Sequence, residues 1–208
     1  MNTKRDILII LTSLLPYLII FAGIHLIKNA FAALLCYNTV ILIIYFYLRK
    51  EKINNAILKI KSRFITAILF FLCALSGFIV ILLFNYIKID NLNLAGELQI
   101  FGLNGVSKYI FIVLFSVVNP ITEELFWRAL DTSNKYLNFI RDILFAGYHL
   151  IFLVLLVKLL YAVFAVIILI VISRIWRHIL RKKEDLLTVI VSHAIADLSI
   201  ISTILILK

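Results

Sequence analysis

The chain alternates long apolar stretches with short charged ones. Charge-free runs cover residues 7–27, 29–48 and 64–87. Each run is long enough for the ~20 helical residues that cross ~30 Å of hydrocarbon. Residues 109–130, 143–173 and 186–207 are nearly as apolar, and residues 143–173 are long enough for two short spans that meet near Lys158. The pattern predicts about seven membrane-spanning helices, within a range of six to eight.

Composition supports an all-α membrane protein. Of the 208 residues, 64% are hydrophobic and only 15% are charged, which is typical of a polytopic transmembrane helical bundle. The chain has no internal repeat, no Pro-rich linker and no polar stretch long enough for a soluble domain. We therefore expect a single membrane domain over residues 1–208.

The basic residues collect on alternate connections between the predicted spans. If the N-terminus is cytoplasmic, fifteen Lys and Arg residues fall on the inner side and five on the outer side, as the positive-inside rule requires. The inner set is Lys4, Arg5, Arg49, Lys50, Lys52, Lys59, Lys61, Arg63, Lys135, Arg141, Arg174, Arg177, Arg181, Lys182 and Lys183, and the outer set is Lys28, Lys88, Lys108, Lys158 and Lys208.

Topology and attraction to anionic membrane lipids are enough to explain the net charge of +10, so no nucleic-acid partner is needed. The asymmetry predicts a multi-pass protein of the cell membrane with a cytoplasmic N-terminus. The many Ile, Lys and Asn residues favour a bacterial cytoplasmic membrane.

Three fragments place ionisable residues inside predicted spans, where charge is costly and usually functional. They are Glu123-Glu124-x-x-x-Arg128, Phe145-x-x-x-His149 and His193-x-x-x-Asp197. Positions four apart share a helix face, so Glu124 should pair with Arg128 and His193 with Asp197, which leaves Glu123 free to face a cavity. Pro120 lacks a backbone N–H and should kink the helix just before the acidic pair.

The fragments also share a predicted depth. Glu124, His149 and His193 lie seven or eight residues from Asp131, Asp142 and Asp185, the charged residues taken as the inner ends of their helices. A rise of 1.5 Å per residue puts all three side chains ~10–12 Å below one boundary. The sequence therefore predicts a pocket built by three helices and reached from the inner leaflet.

In this order, the three fragments resemble the signature of the CPBP intramembrane proteases, a family of type II CAAX prenyl proteases and bacteriocin-processing or self-immunity (Abi) proteins. That signature has an EExxxR helix, an FxxxH helix and an HxxxN or HxxxD helix. Here Trp127 stands where Phe is usual, and Ala129 replaces the usual Gly. The resemblance covers a motif-bearing core of about residues 106–200.

The resemblance implies a peptidase that hydrolyses a peptide bond within or near the membrane by means of an activated water. The implied catalytic set is Glu123, His149, His193 and Asp197. Glu123 would be the general base, and His149 would orient the water and pass a proton to the leaving amine. His193 and Asp197 correspond to the pair that stabilises the tetrahedral oxyanion.

The remaining residues of the signature have supporting or open roles. Glu124 and Arg128 would form a structural pair, and Phe145 would pack beneath His149. An ionised Asp197 would repel an oxyanion, so Asp197 must be protonated, orient His193 or ligate a metal. No cofactor is required, but a divalent metal such as zinc is an open alternative, with Glu123, His149, His193 and Asp197 as its ligands.

Three functions from different classes remain. The first is a glutamic or metal-dependent endopeptidase acting on a membrane-associated peptide or a CAAX-like protein. The second is a bacteriocin self-immunity protein that binds without proteolysis, and the third is a proton-coupled transporter with an intramembrane relay. The expected partners are a peptide or protein substrate and membrane lipids, and the oligomeric state is left open.

Overall fold

The protein is a bundle of helices. The computed structural model describes residues 3–49, 63–183 and 185–206, and within these ranges its only β-type pairing is an isolated bridge between Lys88 and Val157. The helices are α1 (Thr3–Thr12), α2 (Leu15–Phe21), α3 (Ala30–Leu48), α4 (Arg63–Ile87), α5 (Leu94–Ile100), α6 (Ser107–Val113), α7 (Asn119–Glu123), α8 (Lys135–Tyr148), α9 (Leu150–Leu153), α10 (Leu159–Lys183) and α11 (Leu186–Ile206).

Six helical stretches in the described part of the chain are long and apolar enough to cross a membrane, and the protein is a multi-pass membrane protein. They are Lys4–Leu26, Ala30–Leu48, Arg63–Ile87, Ser107–Ala129, Leu159–Lys182 and Leu186–Ile206. These agree with the predicted spans except in the region of residues 143–157. There α8 begins earlier, at Lys135, and the helix is interrupted at His149 before α9, so this crossing is a broken one. The count stays within the predicted range.

The two ends of the bundle carry different groups. We call these ends inner and outer after the predicted topology. At the inner end, Arg5 donates to the backbone oxygen of Asp131 (3.2 Å), and Arg181 pairs with the Asp131 carboxylate (2.7 Å). At the outer end, Lys158 pairs with Asp90 (2.9 Å), and its backbone N–H donates to Ile87 (2.8 Å). Lys50, Lys52, Lys59, Lys61, Lys208 and the side chain of Lys183 lie outside the described residues.

The two prolines lie at irregularities in the spanning stretches. Pro16 lies in the first turn of α2, just after the break between α1 and α2. Near Pro120, where the sequence predicts a kink, π-type turns flank α7: the N–H of Asn119 donates to Leu114, and the N–H of Leu130 donates to Leu125. A π-type turn changes which face the following residues occupy, so these turns set the directions of the motif side chains.

Helices α4 and α11 approach each other closely. A Cβ atom on Gly77 would lie 2.3 Å from the backbone oxygen of Ser199, so only glycine fits there. The N–H of Gly77 donates to the Ser199 hydroxyl (2.9 Å). Because His193 and Asp197 lie on α11, this contact helps to position one wall of the site.

Candidate active site

Two tyrosines hold Glu123. The hydroxyls of Tyr37, on α3, and Tyr148, at the end of α8, both donate to Glu123 Oε1. Trp127 donates from Nε1 to the Tyr37 hydroxyl (3.0 Å). Glu123 is fully buried, and its Oε2 has no hydrogen-bond partner among the described residues. The prediction that Glu123 faces a cavity freely is therefore wrong, since one of its oxygens is fixed and the carboxylate lies behind the tyrosines.

Glu124 joins the first and third motifs. Its Oε1 accepts from Arg128 Nη1 (2.7 Å), as the spacing predicted, and also from His193 Nδ1 (2.7 Å). Because a carboxylate oxygen accepts a hydrogen bond here, Nδ1 of His193 carries the hydrogen. Arg128 also donates to Ser173 (3.1 Å). The pair thus holds the His193 ring in one orientation, with Nε2 turned toward Glu123 and Asp197.

The side chains of α7 and α11 meet at two levels. At the deeper level, His193 Nε2 lies 3.5 Å from Glu123 Oε2. Toward the outer end, Asn119 Nδ2 donates to Asp197 Oδ2 (3.4 Å), and Asp197 Oδ1 lies 3.4 Å from His193 Nε2. The two helices run in opposite directions, so each presents an (i, i+4) pair to the other. Glu123, His193 and Asp197 therefore converge within reach of a single water molecule.

His149 stands beside this group and does not join it. Its Nδ1 donates to the Phe145 carbonyl (2.9 Å), and its ring stacks on Tyr148 with the ring centres 4.1 Å apart. Within the described residues, no hydrogen bond or ion pair joins His149 to Glu123, His193 or Asp197. The helix end assumed for His149 is wrong, because α8 begins at Lys135 rather than at Asp142, so that His149 lies ~21 Å along the helix. Phe145 is buried with its ring 5.1 Å from His149, as predicted.

Asp142 is part of a buried charge network and does not mark the membrane boundary. It accepts hydrogen bonds from Ser173 (2.8 Å), Arg174 (3.1 Å) and Arg177 (2.8 Å). Arg177 also pairs with Asp131 (2.6 Å). The sequence placed Arg177 on a connection between spans, but α10 continues to Lys183 and Arg177 is only 2% exposed.

Further buried groups close the site on its inner side. Arg141 is fully buried; it donates to the backbone oxygens of Phe126 and Leu130 and to the Ser13 hydroxyl. Trp127 is also fully buried. These charged and aromatic side chains fill the inner half of the bundle.

An apolar cavity of about 150 Å³ lies on the other side of the site. Tyr37, Asn119, Tyr148 and His149 are its polar lining, and side chains such as Ile201 supply the apolar remainder. The lining comes from the outer halves of the helices and from the loop that contains α5. The expectation that the pocket is reached from the inner leaflet is therefore not met by this cavity.

The predicted zinc ligands do not form a metal site in this arrangement. No group of three or more His, Cys, Asp or Glu side chains in the described part of the chain could hold a metal ion. His149 lies apart from the other three predicted ligands, and its Nδ1 is hydrogen-bonded to a carbonyl. The donor set in this arrangement therefore does not fit a metal.

Tyr37, Tyr148 and Asn119 were not predicted as site residues. Tyr37 lies in an apolar span with no charge near it, where a tyrosine hydroxyl gives almost no signal. Tyr148 directly precedes His149, and Asn119 lies one helical turn before Glu123, so their proximity to the motifs was the available signal.

All seven motif residues fall within a segment that matches a known family. The family model, described as Type II CAAX prenyl endopeptidase Rce1-like, matches residues 105–199. The matched segment covers slightly less than half of the 208-residue chain. The resemblance seen in the sequence is thereby confirmed, and the match supports a CAAX-type intramembrane endopeptidase in general terms. Comparison with curated proteins and with solved structures gives no match. Tyr37 lies outside the matched segment.

Proposed function

We propose that this protein is an endopeptidase that hydrolyses a peptide bond of a membrane-embedded peptide or protein, with water activated at Glu123. The observation that carries the proposal is the convergence of Glu123 Oε2, His193 Nε2 and Asp197 Oδ1, with separations of 3.5 and 3.4 Å. These are an acceptor for a proton, an imidazole nitrogen and an orienting carboxylate around one small volume, as general acid–base hydrolysis requires.

Glu123 is suited to act as the base because its two oxygens have different environments. Oε1 accepts from Tyr37 and Tyr148, which holds the carboxylate in one orientation. Oε2 receives no hydrogen bond from the described residues and is the oxygen that would take a proton from water. As the water oxygen bonds to the substrate carbonyl carbon, this proton moves to Oε2. It passes to the amine nitrogen when the C–N bond breaks.

The histidines have separate roles in this scheme. His193 is anchored through Nδ1 to Glu124, so its Nε2 is the atom that would contact the water or the developing oxyanion. Asp197 orients His193 from one helical turn away, which is the favoured one of its three possible roles. His149 lines the cavity, and its Nε2 would contact the substrate or the incoming water beside Tyr148.

The cavity indicates the kind of substrate. Its lining is apolar apart from four residues, and an apolar cavity of about 150 Å³ can hold a benzene-sized group. We therefore propose that it receives one large apolar side chain, or part of an apolar chain, next to the scissile bond. Its position further suggests that the substrate is bound in the outer half of the bundle.

A Glu123→Gln substitution tests the hydrolytic function, because it keeps the shape and removes the base. The purified protein in lipid nanodiscs is mixed with quenched fluorescent peptides: a farnesylated CAAX peptide, its unprenylated form and an apolar transmembrane peptide. We expect the wild type to cleave at least one of them and kcat to fall by ~10³-fold or more in the variant. Glu97→Gln, in the surface helix α5, is the matched control and should cleave normally.

Equal cleavage by Glu123→Gln and the wild type would refute a glutamate-based mechanism. Loss of cleavage on chelation, restored by Zn²⁺, would favour the metal-dependent alternative. The binding-only immunity role predicts that Glu123→Gln still protects cells from a bacteriocin, whereas the peptidase predicts loss of protection. A transmembrane proton relay is disfavoured by the apolar outer half, since in the described residues the polar cluster ends at Asn119 and Asp197.

A further inference from the structure

Asn119 is a buried amide at the border between the cluster and the cavity. It is 4% exposed, lines the cavity and lies one helical turn from Glu123 on the same face of α7. Its Nδ2 donates a hydrogen bond to Asp197 Oδ2 (3.4 Å). A carboxylate offers only acceptors, so the nitrogen of the amide must face it.

The cluster otherwise lacks donors for a tetrahedral intermediate. Hydrolysis of a peptide bond places negative charge on the former carbonyl oxygen, and enzymes stabilise it with fixed hydrogen-bond donors. Ionised Glu123 and Asp197 can only accept hydrogen bonds, and the Tyr37 and Tyr148 hydroxyls already donate to Glu123. That leaves the amide of Asn119, and Nε2 of His193 when the ring carries a second hydrogen.

We propose that Asn119 donates a hydrogen bond to the oxyanion, an inference that rests on the proposed function. An amide nitrogen carries two hydrogens. One is directed to Asp197, and the other remains for the substrate. Asp197 is then a positioning residue, because it holds the Asn119 amide on one side and His193 on the other.

The two levels of side chains place the base and the proposed oxyanion donor one helical turn apart. Glu123 and Asn119 are stacked on α7, as His193 and Asp197 are on α11, and the outer level borders the cavity. A carbonyl entering from the cavity meets the amide of Asn119 first, with the base one helical turn deeper. Asn119 on α7 thus supplies the donor amide that an asparagine at position 197 on α11 would provide.

Moving the donor amide from α7 to α11 tests the inference. Three variants are compared with the wild type on whichever probe peptide the wild type cleaves: Asn119→Ala, Asp197→Asn and the double variant. We expect Asn119→Ala to lower kcat by ~10²-fold or more with KM changed by less than ~3-fold, because the lost interaction exists mainly in the transition state. Asp197→Asn alone should lower kcat less than Asn119→Ala does, because it weakens the positioning of Asn119 and His193 but keeps a donor amide beside the oxyanion. The double variant should recover at least ~10-fold over Asn119→Ala, because the amide returns from α11.

Asn138→Ala is the matched control for the loss of a buried asparagine. Asn138 is fully buried at the inner end, where it bonds to the backbone of Thr132. This variant should unfold at a lower temperature but keep the kcat of the folded protein. Rescue by a second substitution is a result that a purely structural role of Asn119 would not give.

Two outcomes would overturn the inference alone: an Asn119→Ala variant within ~3-fold of wild-type kcat, or a double variant as slow as Asn119→Ala. A different result would remove the proposed function beneath it. This result is a wild type that cleaves none of the three probes, or a Glu123→Gln variant that cleaves as fast as the wild type.

Discussion

The inner and outer halves of the bundle differ in the side chains that they bury. The inner half holds a continuous network of buried charges from Glu124 and Arg128 through Ser173 to Asp142 and Arg177. The outer half has a cavity with an almost wholly apolar lining, and its ion pair between Lys158 and Asp90 is exposed. The inner half is therefore packed around buried charges, whereas the outer half is open around a cavity.

The candidate site lies where these halves meet, which explains how it can be both fixed and accessible. From the inner side, Arg128 and Glu124 hold His193 in one orientation. On the outer side, Tyr148 and Asn119 contact both the cluster and the cavity. Catalytic groups need rigid support as well as room for the substrate, and here each half supplies one of the two.

The largest expected effect comes from breaking the inner network. Asp142→Ala leaves Arg177, which is 2% exposed, without its main partner. Removing one member of a buried ion pair costs about 3–5 kcal/mol. We expect the thermal midpoint in detergent to fall by ~10 °C, measured by the loss of circular dichroism on heating.

Asp90→Ala makes the same chemical change in the outer half. Its partner Lys158 lies at the surface, and exposed ion pairs contribute little to stability, so the midpoint should hardly move. Similar midpoints for Asp142→Ala and Asp90→Ala would show that the two halves do not differ in the way described.

A smaller effect is expected at the boundary between the halves. Tyr37→Phe removes one of the two hydroxyls that hold Glu123 Oε1 and leaves the ring in place. A hydrogen bond to a charged group contributes about 1.5–3 kcal/mol, so we expect kcat on a cleaved probe to fall by ~10-fold or more.

Tyr17→Phe is the matched control, because the Tyr17 hydroxyl donates to the Leu144 carbonyl (2.8 Å) and does not contact Glu123. Its kcat should remain near that of the wild type. If both variants were equally slow, the effect would come from general packing and Tyr37 would have no special part in positioning Glu123.

Most of the fold could be predicted because a helix that crosses a membrane needs an apolar run long enough to span it. The six long apolar helices of the described residues follow from the apolar runs of the sequence. The exception was α8, whose buried polar face includes Asp142 and Arg141. Charges read as a helix end were in fact satisfied inside the protein, which hydropathy cannot distinguish.

The candidate site was predictable only where its partners are close in sequence. The pairing of Glu124 with Arg128 and the proximity of His193 to Asp197 follow from four-residue spacing. The contacts of Glu123 with Tyr37 and Tyr148 depend on helix rotation, which the π-type turns around α7 alter. Neutral hydroxyls in apolar helices also carry too weak a pattern to be selected.

The smallest effect is expected in the outer half, where a substitution should change substrate choice more than stability. Ile201→Phe adds bulk to the cavity wall on α11, so probes with Leu or Phe beside the scissile bond should lose ~10-fold in kcat/KM relative to probes with Ala there. Leu198→Phe is the matched control, since Leu198 is 48% exposed on the same helix and does not line the cavity. Because each variant is compared with itself across two probes, a general loss of folded protein cancels. An unchanged Leu-to-Ala ratio in Ile201→Phe would mean that the cavity does not hold the substrate side chain, and the open half would then need another explanation.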